Sequence, residues 1–157
     1  MNWIDGEIEG CVPKPFRKFG DDRGWLAEVF RHDELDPELH PVMGYLSLTK
    51  PGVARGPHEH VDQTDLFVFF DGTFRVYLWD SREGSPTYGT RFVADLGRDN
   101  PATLLVPPGV VHAYRNVGST DSLIFNCPNR LYAGWGKKEP VDEIRHEEDT
   151  ESRYVME

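Results

Sequence analysis

Two histidines one residue apart are the side chains in this sequence best suited to chemistry. His58 and His60 lie in the segment Arg-Gly-Pro-His-Glu-His, and a third histidine, His112, follows a Pro-Pro-Gly turn later in the chain. Because a β-strand points residues i and i+2 to the same face, two imidazoles at this spacing can share a metal ion or a proton-transfer task. The third imidazole can close such a site from another strand.

The elements that must position these histidines are predicted to be strands. Short apolar segments alternate with turn residues, and the chain has 15 Gly and 12 Pro. This pattern predicts strands at residues 44–49, 66–70, 73–79, 88–95, 103–106, 112–117 and 122–127. Such strands, with no helical stretch between them, favour an antiparallel sandwich or barrel. One short helix is expected at residues 31–35 or in the acidic tail.

Length and charge narrow the class of protein. The 157 residues predict a single domain, residues 1–157, with an acidic C-terminal extension at about 139–157. A net charge of −10 argues against nucleic acid as the main partner, since no basic stripe is available for phosphates, but it is compatible with a small anionic ligand bound by one or two arginines. No segment is apolar enough to predict a membrane span, and no signal peptide is recognised. Two cysteines without short spacing indicate free thiols, and we expect a cytoplasmic protein.

The histidines form part of two motifs that resemble those of the cupin superfamily. The first is His58-x-His60 followed by Asp65 and Gly72, and the second is Pro-x-Gly-x2-His ending at His112. Three imidazoles and one carboxylate are a ligand set suited to Fe, Mn, Ni, Zn or Cu. The resemblance therefore implies a divalent transition metal held by His58, His60, Asp65 and His112.

Three longer segments are similar to the dTDP-4-dehydrorhamnose 3,5-epimerase family, a branch of the cupins. They are FGDDRGWLAE at 19–28, SLTKPGVARGPH at 47–58 and DSREGSPTYG at 80–89. The resemblance implies a double-stranded β-helix, or jelly roll, that forms a homodimer with N-terminal strands shared between subunits. It also implies an epimerase or isomerase acting on a nucleotide-activated keto-sugar.

The same resemblance implies catalytic roles for individual residues. His58 matches the base that removes a proton beside the sugar ketone, and Tyr132 matches the acid that returns a proton to the opposite face. A carboxylate that orients the histidine is expected at Asp149, with Glu148 as the alternative.

Four further residues are implied to contact the substrate. Arg23 and Glu28 match residues that reach the nucleotide across the dimer, and Arg55 matches an arginine on the diphosphate. His112 is expected beside the substrate as well as in the metal set.

This chemistry is sound on general grounds. A proton alpha to a ketone is weakly acidic, so its removal needs a positioned base, and histidine meets that requirement. The resulting enolate needs a positive charge or a hydrogen-bond donor close to its oxygen. Inversion then needs a second proton-transfer group on the other face.

Three departures from the family bear on the reaction. Asp65 stands where the family usually has a lysine that stabilises the enolate, His60 replaces a residue that is not a metal-type ligand, and Tyr45 replaces an asparagine. The first two changes together can replace a cationic side chain by a metal ion acting as a Lewis acid. A histidine whose lone pair binds a metal cannot also accept a proton, so His58 cannot hold both roles.

Three functions therefore stay open from the sequence. The first is an epimerase or isomerase of a nucleotide-activated keto-sugar. The second is a metal-dependent cupin enzyme, such as a dioxygenase, a decarboxylase or a metal-assisted sugar isomerase. The third is a non-catalytic sugar-binding or regulatory cupin.

Overall fold

Thirteen β-strands and three short 3₁₀ turns make up the regular structure of the protein, for which a computed structural model describes residues 2–157. The strands are β1 Ile4–Asp5, β2 Lys14–Pro15, β3 Phe19–Asp21, β4 Gly24–Leu26, β5 Tyr45–Thr49, β6 Ala54–Glu59, β7 Asp65–Phe69, β8 Thr73–Asp80, β9 Thr90–Gly97, β10 Ala102–Val106, β11 Val110–Asn116, β12 Ser122–Asn126 and β13 Ile144–Arg145. The 3₁₀ turns are His32–Glu34, Pro37–Leu39 and Trp135–Lys137. No helix within residues 2–157 is long and apolar enough to cross a membrane.

The strands form two large sheets and one small hairpin. The six-stranded sheet has the order β1-β9-β8-β11-β6-β13, the five-stranded sheet has the order β2-β10-β7-β12-β5, and β3 pairs with β4 alone. The eight strands β5 to β12 thus alternate between two four-stranded units, 5-12-7-10 and 6-11-8-9, which is jelly-roll topology. The predicted all-β fold is confirmed.

Strand β8 shows how the sequence pattern builds both faces of its sheet. Phe74, Val76 and Leu78 point inward and are buried in the core between the sheets, which they share with Phe67 and Phe69 of β7. This alternation is the two-residue period expected of a strand.

The outer face of β8 is also buried, because the C-terminal tail covers it. Tyr77 and Trp79 pack with Tyr154 and Trp3, and Tyr77 donates a hydrogen bond to the backbone oxygen of Glu157. Burial of a side chain as large as Tyr154 is worth about 2 kcal/mol. The acidic extension is therefore docked on the sheet, and no α-helix forms in it.

Candidate active site

Strand pairing brings His58 and His112 face to face. Strands β6 and β11 are antiparallel neighbours, with His58 opposite His112 in the register. Gly56 permits this close approach, since its φ is +82° and a Cβ there would lie 2.5 Å from the carbonyl oxygen of His112. His60 follows directly after β6, and ligand nitrogens of the three histidines lie within 4.8 Å of one another. The predicted meeting of the three imidazoles is a feature of the structure.

Asp65 lies between two of these imidazoles and comes from the opposite sheet. Its Oδ2 is 3.1 Å from Nε2 of His60 and 3.3 Å from Nε2 of His112, while Oδ1 accepts hydrogen bonds from Gln63 and Asn126. The carboxylate is fully buried. Burial opposes its charge, but the two imidazoles and the hydrogen bonds outweigh burial and hold the pKa of Asp65 well below its usual range.

The tautomers of His60 and His112 follow from their backbone partners. Nδ1 of His112 donates to the carbonyl of Val110 at 3.1 Å, and Nδ1 of His60 donates to the carbonyl of Asp142. Each Nε2 therefore faces Asp65. Nε2 of His112 is buried and has no hydrogen-bond partner in residues 2–157, because its 3.3 Å approach to Asp65 lacks hydrogen-bond geometry.

The charge of His60 depends on this arrangement. Burial alone would lower the pKa of His60, but the hydrogen bond and charge of Asp65 raise it to about 9. The Nε2 position of His60, which Nε2 of Gln63 also approaches at 3.3 Å, therefore favours a positive charge, whether a proton or a metal ion. Asp142 also holds the segment after His60, since its carboxylate accepts hydrogen bonds from the backbone amides of residues 61–63.

His58 has the opposite electrostatic character. Burial, followed by the charges of His112 and His60, lowers the pKa of His58 to about 2, so its imidazole is neutral. Two carboxylates lie near the ring: Glu143 Oε1 is 3.8 Å from Nε2 and Glu147 Oε1 is 4.0 Å from Nδ1. Because a pKa this low makes the imidazole a weak base, proton acceptance by His58 depends on stabilisation of the imidazolium by these two carboxylates.

A large cavity opens above the histidines between the ends of the two sheets. Its volume is about 1450 Å³, and it is lined by His58 and His60 at the base. Aromatic residues from strand β5 and from the loop after β12 form part of its wall: Tyr45, Tyr132 and Trp135. The size and the mixture of apolar and polar groups suit a ligand larger than a single sugar.

Arg55 is placed to bind an anion in this cavity. Its guanidinium donates to Thr49 Oγ1 at 3.0 Å and to the carbonyl of Leu48 at 2.8 Å. The other two arginines that line the cavity, Arg130 and Arg145, pair with carboxylates. Arg55 has no carboxylate partner within residues 2–157, which leaves its charge available in a strongly acidic protein.

Arg23 and Glu28 lie away from the cavity of this chain. Arg23 occupies the turn of the β3–β4 hairpin and pairs with Asp21, and Glu28 is 3.5 Å from Arg31. All four side chains are largely exposed. Their predicted contact with a nucleotide requires a second subunit and stays a prediction.

The structure places the two remaining predicted catalytic residues differently. Tyr132 lies at the cavity wall and is 57% exposed. Asp149 is exposed, and its carboxylate accepts a hydrogen bond from the backbone amide of Glu151 within its own turn. The carboxylates within 4 Å of His58 are those of Glu143 and Glu147, so these glutamates occupy the position that we predicted for Asp149.

Glu143 and Glu147 were not among the predicted site residues, because they lie in the acidic C-terminal extension, for which no strand was predicted. An apolar residue within this acidic segment, Ile144, is the sequence feature that could have indicated a strand there. Ile144 pairs with Glu59 across β13 and β6, and Arg145 pairs with His58. This strand pairing places Glu143 and Glu147, which lie before and after β13 in the sequence, beside β6 and His58.

Comparisons with known proteins identify the family of this chain. The sequence model of dTDP-4-dehydrorhamnose 3,5-epimerase matches residues 5–139. The chain belongs to this epimerase family. The predicted family, the jelly-roll fold and the enzyme class, a carbohydrate epimerase or isomerase acting on a nucleotide-activated keto-sugar, are confirmed. The match ends before the tail residues that flank His58.

Several members of the family are similar over most of their length. SpsL, a spore coat polysaccharide biosynthesis protein of Bacillus subtilis, is 44% identical over 127 residues, which are 80% of this chain and 82% of SpsL. Agl13 of Haloferax volcanii, a probable low-salt glycan biosynthesis epimerase, is 40% identical over 113 residues, or 71% of this chain and 72% of Agl13. The crystal structure of a dTDP sugar isomerase from Desulfovibrio desulfuricans superposes with a TM-score of 0.81 at 26% identity, covering 95% of this chain and 91% of that one.

Proposed function

We propose that this family member inverts carbon centres next to the ketone of a dTDP-activated 4-keto-6-deoxy sugar, with His58 as the base. The observation that carries the proposal is the position of His58, whose imidazole lines the cavity with two carboxylates within 4 Å of its ring nitrogens. Several relatives are dTDP-4-dehydrorhamnose 3,5-epimerases, which supports a dTDP-activated sugar as the substrate.

In the proposed reaction, His58 accepts the proton from the carbon beside the ketone. The electron pair of the C–H bond moves into an enolate, and Glu143 and Glu147 stabilise the imidazolium that forms. The enolate oxygen needs a positive charge, which the family usually takes from a lysine. In this chain the Nε2 position of His60, beside Asp65, is the place where such a charge is held.

Arg55 is proposed to bind the diphosphate of the nucleotide. Its guanidinium lines the cavity and lacks a carboxylate partner in the described residues, and arginine is well suited to phosphate oxygens. Replacing Arg55 by Lys should raise KM for the dTDP-sugar more than it lowers kcat, because binding and not proton transfer is changed.

A metal ion at the base of the cavity is a second proposal that a specific observation favours. His60 and His112 both donate Nδ1–H to backbone carbonyls and turn Nε2 toward Asp65, an outer-shell pattern typical of metal-binding histidines. The partnerless Nε2 of His112 also fits a ligand atom. His60, His112 and Asp65 would hold the ion, which leaves His58 free to act as the base; with His58 as a further ligand, the base would have to be another residue. A bound ion would supply Lewis-acid stabilisation of negative oxygen.

Elemental analysis of protein purified without added metal tests this second proposal. Near-stoichiometric Fe, Mn, Ni, Zn or Cu that is lost from the His112→Ala variant supports a metal site. Substoichiometric metal in wild type and variant alike contradicts it, and leaves a proton on His60 as the source of charge.

We also propose a homodimer in the cytoplasm. Large apolar side chains are exposed on the β3–β4 hairpin and on the outer face of edge strand β5, as expected of an interface: Phe19, Trp25, Leu26, Leu46 and Leu48. Both cysteines, Cys11 and Cys127, are buried free thiols, which supports a reducing compartment. Light scattering of purified protein tests the dimer.

The experiment that tests the main function uses dTDP-4-keto-6-deoxyglucose in D₂O. Wild-type protein should introduce deuterium at carbons beside the ketone and invert at least one of them, as followed by NMR. Protein that binds this sugar, shown by a thermal shift, but produces neither exchange nor inversion contradicts the proposal and favours a non-catalytic binding role.

A further inference from the structure

Tyr45 lines the cavity, and its hydroxyl group donates no hydrogen bond within residues 2–157. Tyr45 is the first residue of β5, and strand alternation points Tyr45, Ser47 and Thr49 inward while Leu46 and Leu48 face outward. Tyr45 and Ser47 line the cavity. Ser47 is already engaged, since its hydroxyl is 3.1 Å from that of Tyr114.

Asn126 fixes the direction in which the Tyr45 hydroxyl can donate. Nδ2 of Asn126 donates one hydrogen bond to Oδ1 of Asp65 at 3.0 Å and another to Oη of Tyr45 at 2.8 Å. Because a carboxylate can only accept, the amide orientation is determined, and Oη of Tyr45 is an acceptor in this bond. Its own O–H has no acceptor within residues 2–157, so its proton is available to a ligand in the cavity.

Tyr45 and His58 enter the cavity from different sheets. Tyr45 is on β5 at the edge of the five-stranded sheet, whereas His58 is on β6 of the six-stranded sheet. A flat ligand held between the two sheets would meet the imidazole of His58 on one face and the hydroxyl group of Tyr45 on the other. Tyr45 is held in a strand and is 44% exposed, whereas Tyr132 lies in a loop and is 57% exposed.

We infer that Tyr45 is the proton donor that completes inversion, an assignment that rests on the proposed function. His58 takes the proton from the carbon beside the ketone, and the C–H electron pair forms the enolate. Oη of Tyr45 then gives its proton to the same carbon from the opposite face, the ketone re-forms, and a tyrosinate remains. Transfer of the proton from the imidazolium of His58 to the tyrosinate through solvent restores both groups.

The surroundings of Tyr45 agree with a donor role. Burial, and then the charge of Asp65, raise the pKa of Tyr45, so the phenol keeps its proton until a strongly basic carbon is presented. The hydrogen bond from Asn126 stabilises the tyrosinate after transfer. The family usually has an asparagine at this position, which cannot act as an acid, so the donor would be specific to chains that carry tyrosine here.

The test compares Tyr45→Phe with Tyr132→Phe and with the matched control Tyr88→Phe, a similarly exposed tyrosine that does not line the cavity, on dTDP-4-keto-6-deoxyglucose in D₂O. We expect Tyr45→Phe to retain deuterium exchange beside the ketone, because His58 can remove and return a proton on one face, while inversion falls by about 100-fold. Tyr88→Phe should invert at the wild-type rate, whereas any loss in Tyr132→Phe should affect exchange and inversion alike. Circular dichroism and thermal melts establish that each variant is folded.

Each alternative result has a definite consequence. Inversion by Tyr45→Phe at the wild-type rate overturns the assignment, as does selective loss of inversion in Tyr132→Phe. Tyr45→Asn, which restores the usual residue of the family, replaces Tyr45→Phe if that variant does not fold, and the same loss is expected. Wild-type protein without exchange or inversion overturns the proposed function itself, and the assignment of Tyr45 with it.

Discussion

Two buried aspartates, Asp80 and Asp65, show how the same side chain supports structure in one region and chemistry in another. Both are almost completely inaccessible to solvent, and both are held ionised by their neighbours. Every partner of Asp80 donates a hydrogen bond to it: the backbone and guanidinium of Arg82 and the hydroxyls of Ser85 and Thr87.

Asp65 differs because its surroundings are not fully satisfied. Nε2 of His112 and Oδ1 of Asn126 are buried beside it without partners among the described residues. Unsatisfied buried polar atoms are costly, so they are expected where a ligand, a proton or an ion completes the site. The comparison teaches that buried charge alone does not mark the active site of this protein, whereas buried charge with vacant hydrogen-bonding capacity at a cavity does.

The largest expected effect is on catalysis, at His58. The variant His58→Gln should lower kcat/KM by about 1000-fold, because the base is removed. Its melting temperature should change little, since His58 makes no short hydrogen bond. The exposed His32 provides the control variant, His32→Gln, and should keep full activity. Substantial turnover by His58→Gln would move the base to another residue.

The second effect is on stability, at Asp80. Asp80→Asn should reduce the free energy of unfolding by about 3 kcal/mol, because Arg82 loses its buried partner and the new amide faces donors. Activity per folded molecule should be unchanged. The exposed pair of Asp95 and Arg75 supplies the control, Asp95→Asn, with an expected loss of about 0.5 kcal/mol. Urea denaturation measures both, and equal losses would contradict the distinction between the two sites.

A smaller effect distinguishes the carboxylates near His58. Glu143→Gln should lower kcat about tenfold, in the range expected for loss of an opposite charge within reach of the imidazolium. Asp149→Asn, the residue predicted from the sequence, should have little effect, because its carboxylate caps its own turn. The reverse result would restore Asp149 as the orienting carboxylate and remove Glu143 from the mechanism.

The smallest effect is the pH dependence that Asp80 contributes to stability. Its folded pKa is depressed, because the hydrogen bonds of Arg82, Ser85 and Thr87 outweigh burial. Its stabilisation is therefore complete above the pKa of an unfolded aspartate, about 3.9, and declines as the pH falls below it. The stability gap between wild type and Asp80→Asn should narrow by about 1 kcal/mol from pH 5 to pH 3. A constant gap would show that Asp80 is not ionised in the folded protein.

The seven strands predicted from the sequence are present, with boundaries shifted by two residues at most, because each is a short apolar segment bounded by turn residues. Strand β6 was not predicted. Its sequence, Ala-Arg-Gly-Pro-His-Glu, has little β-propensity, and it is a strand because β11 and β13 pair with it on either side. Tertiary pairing of this kind is not encoded within one segment, so local patterns do not predict it.

As with the strands, some residues of the site were predictable from the sequence and others were not. The spacing of His58, His60, Asp65 and His112 was enough to bring them together, because each lies in or beside a strand of a recognisable motif. The roles of Glu143 and Tyr45 were not predictable, since each depends on a neighbour far along the chain. Glu143 reaches His58 through the pairing of β13, and the proton of Tyr45 is directed by Asn126.

The pairing of β13 with β6 also affects how the protein behaves in concentrated solution. Without Ile144–Arg145, β6 would be the last strand of its sheet, with unpaired backbone groups beside the mouth of the cavity. Exposed strand edges recruit other chains, so loss of the tail by proteolysis should promote aggregation as well as inactivation. Protein cleaved near residue 139 is therefore expected to precipitate, even though residues 5–139, which match the sequence model of the family, are intact.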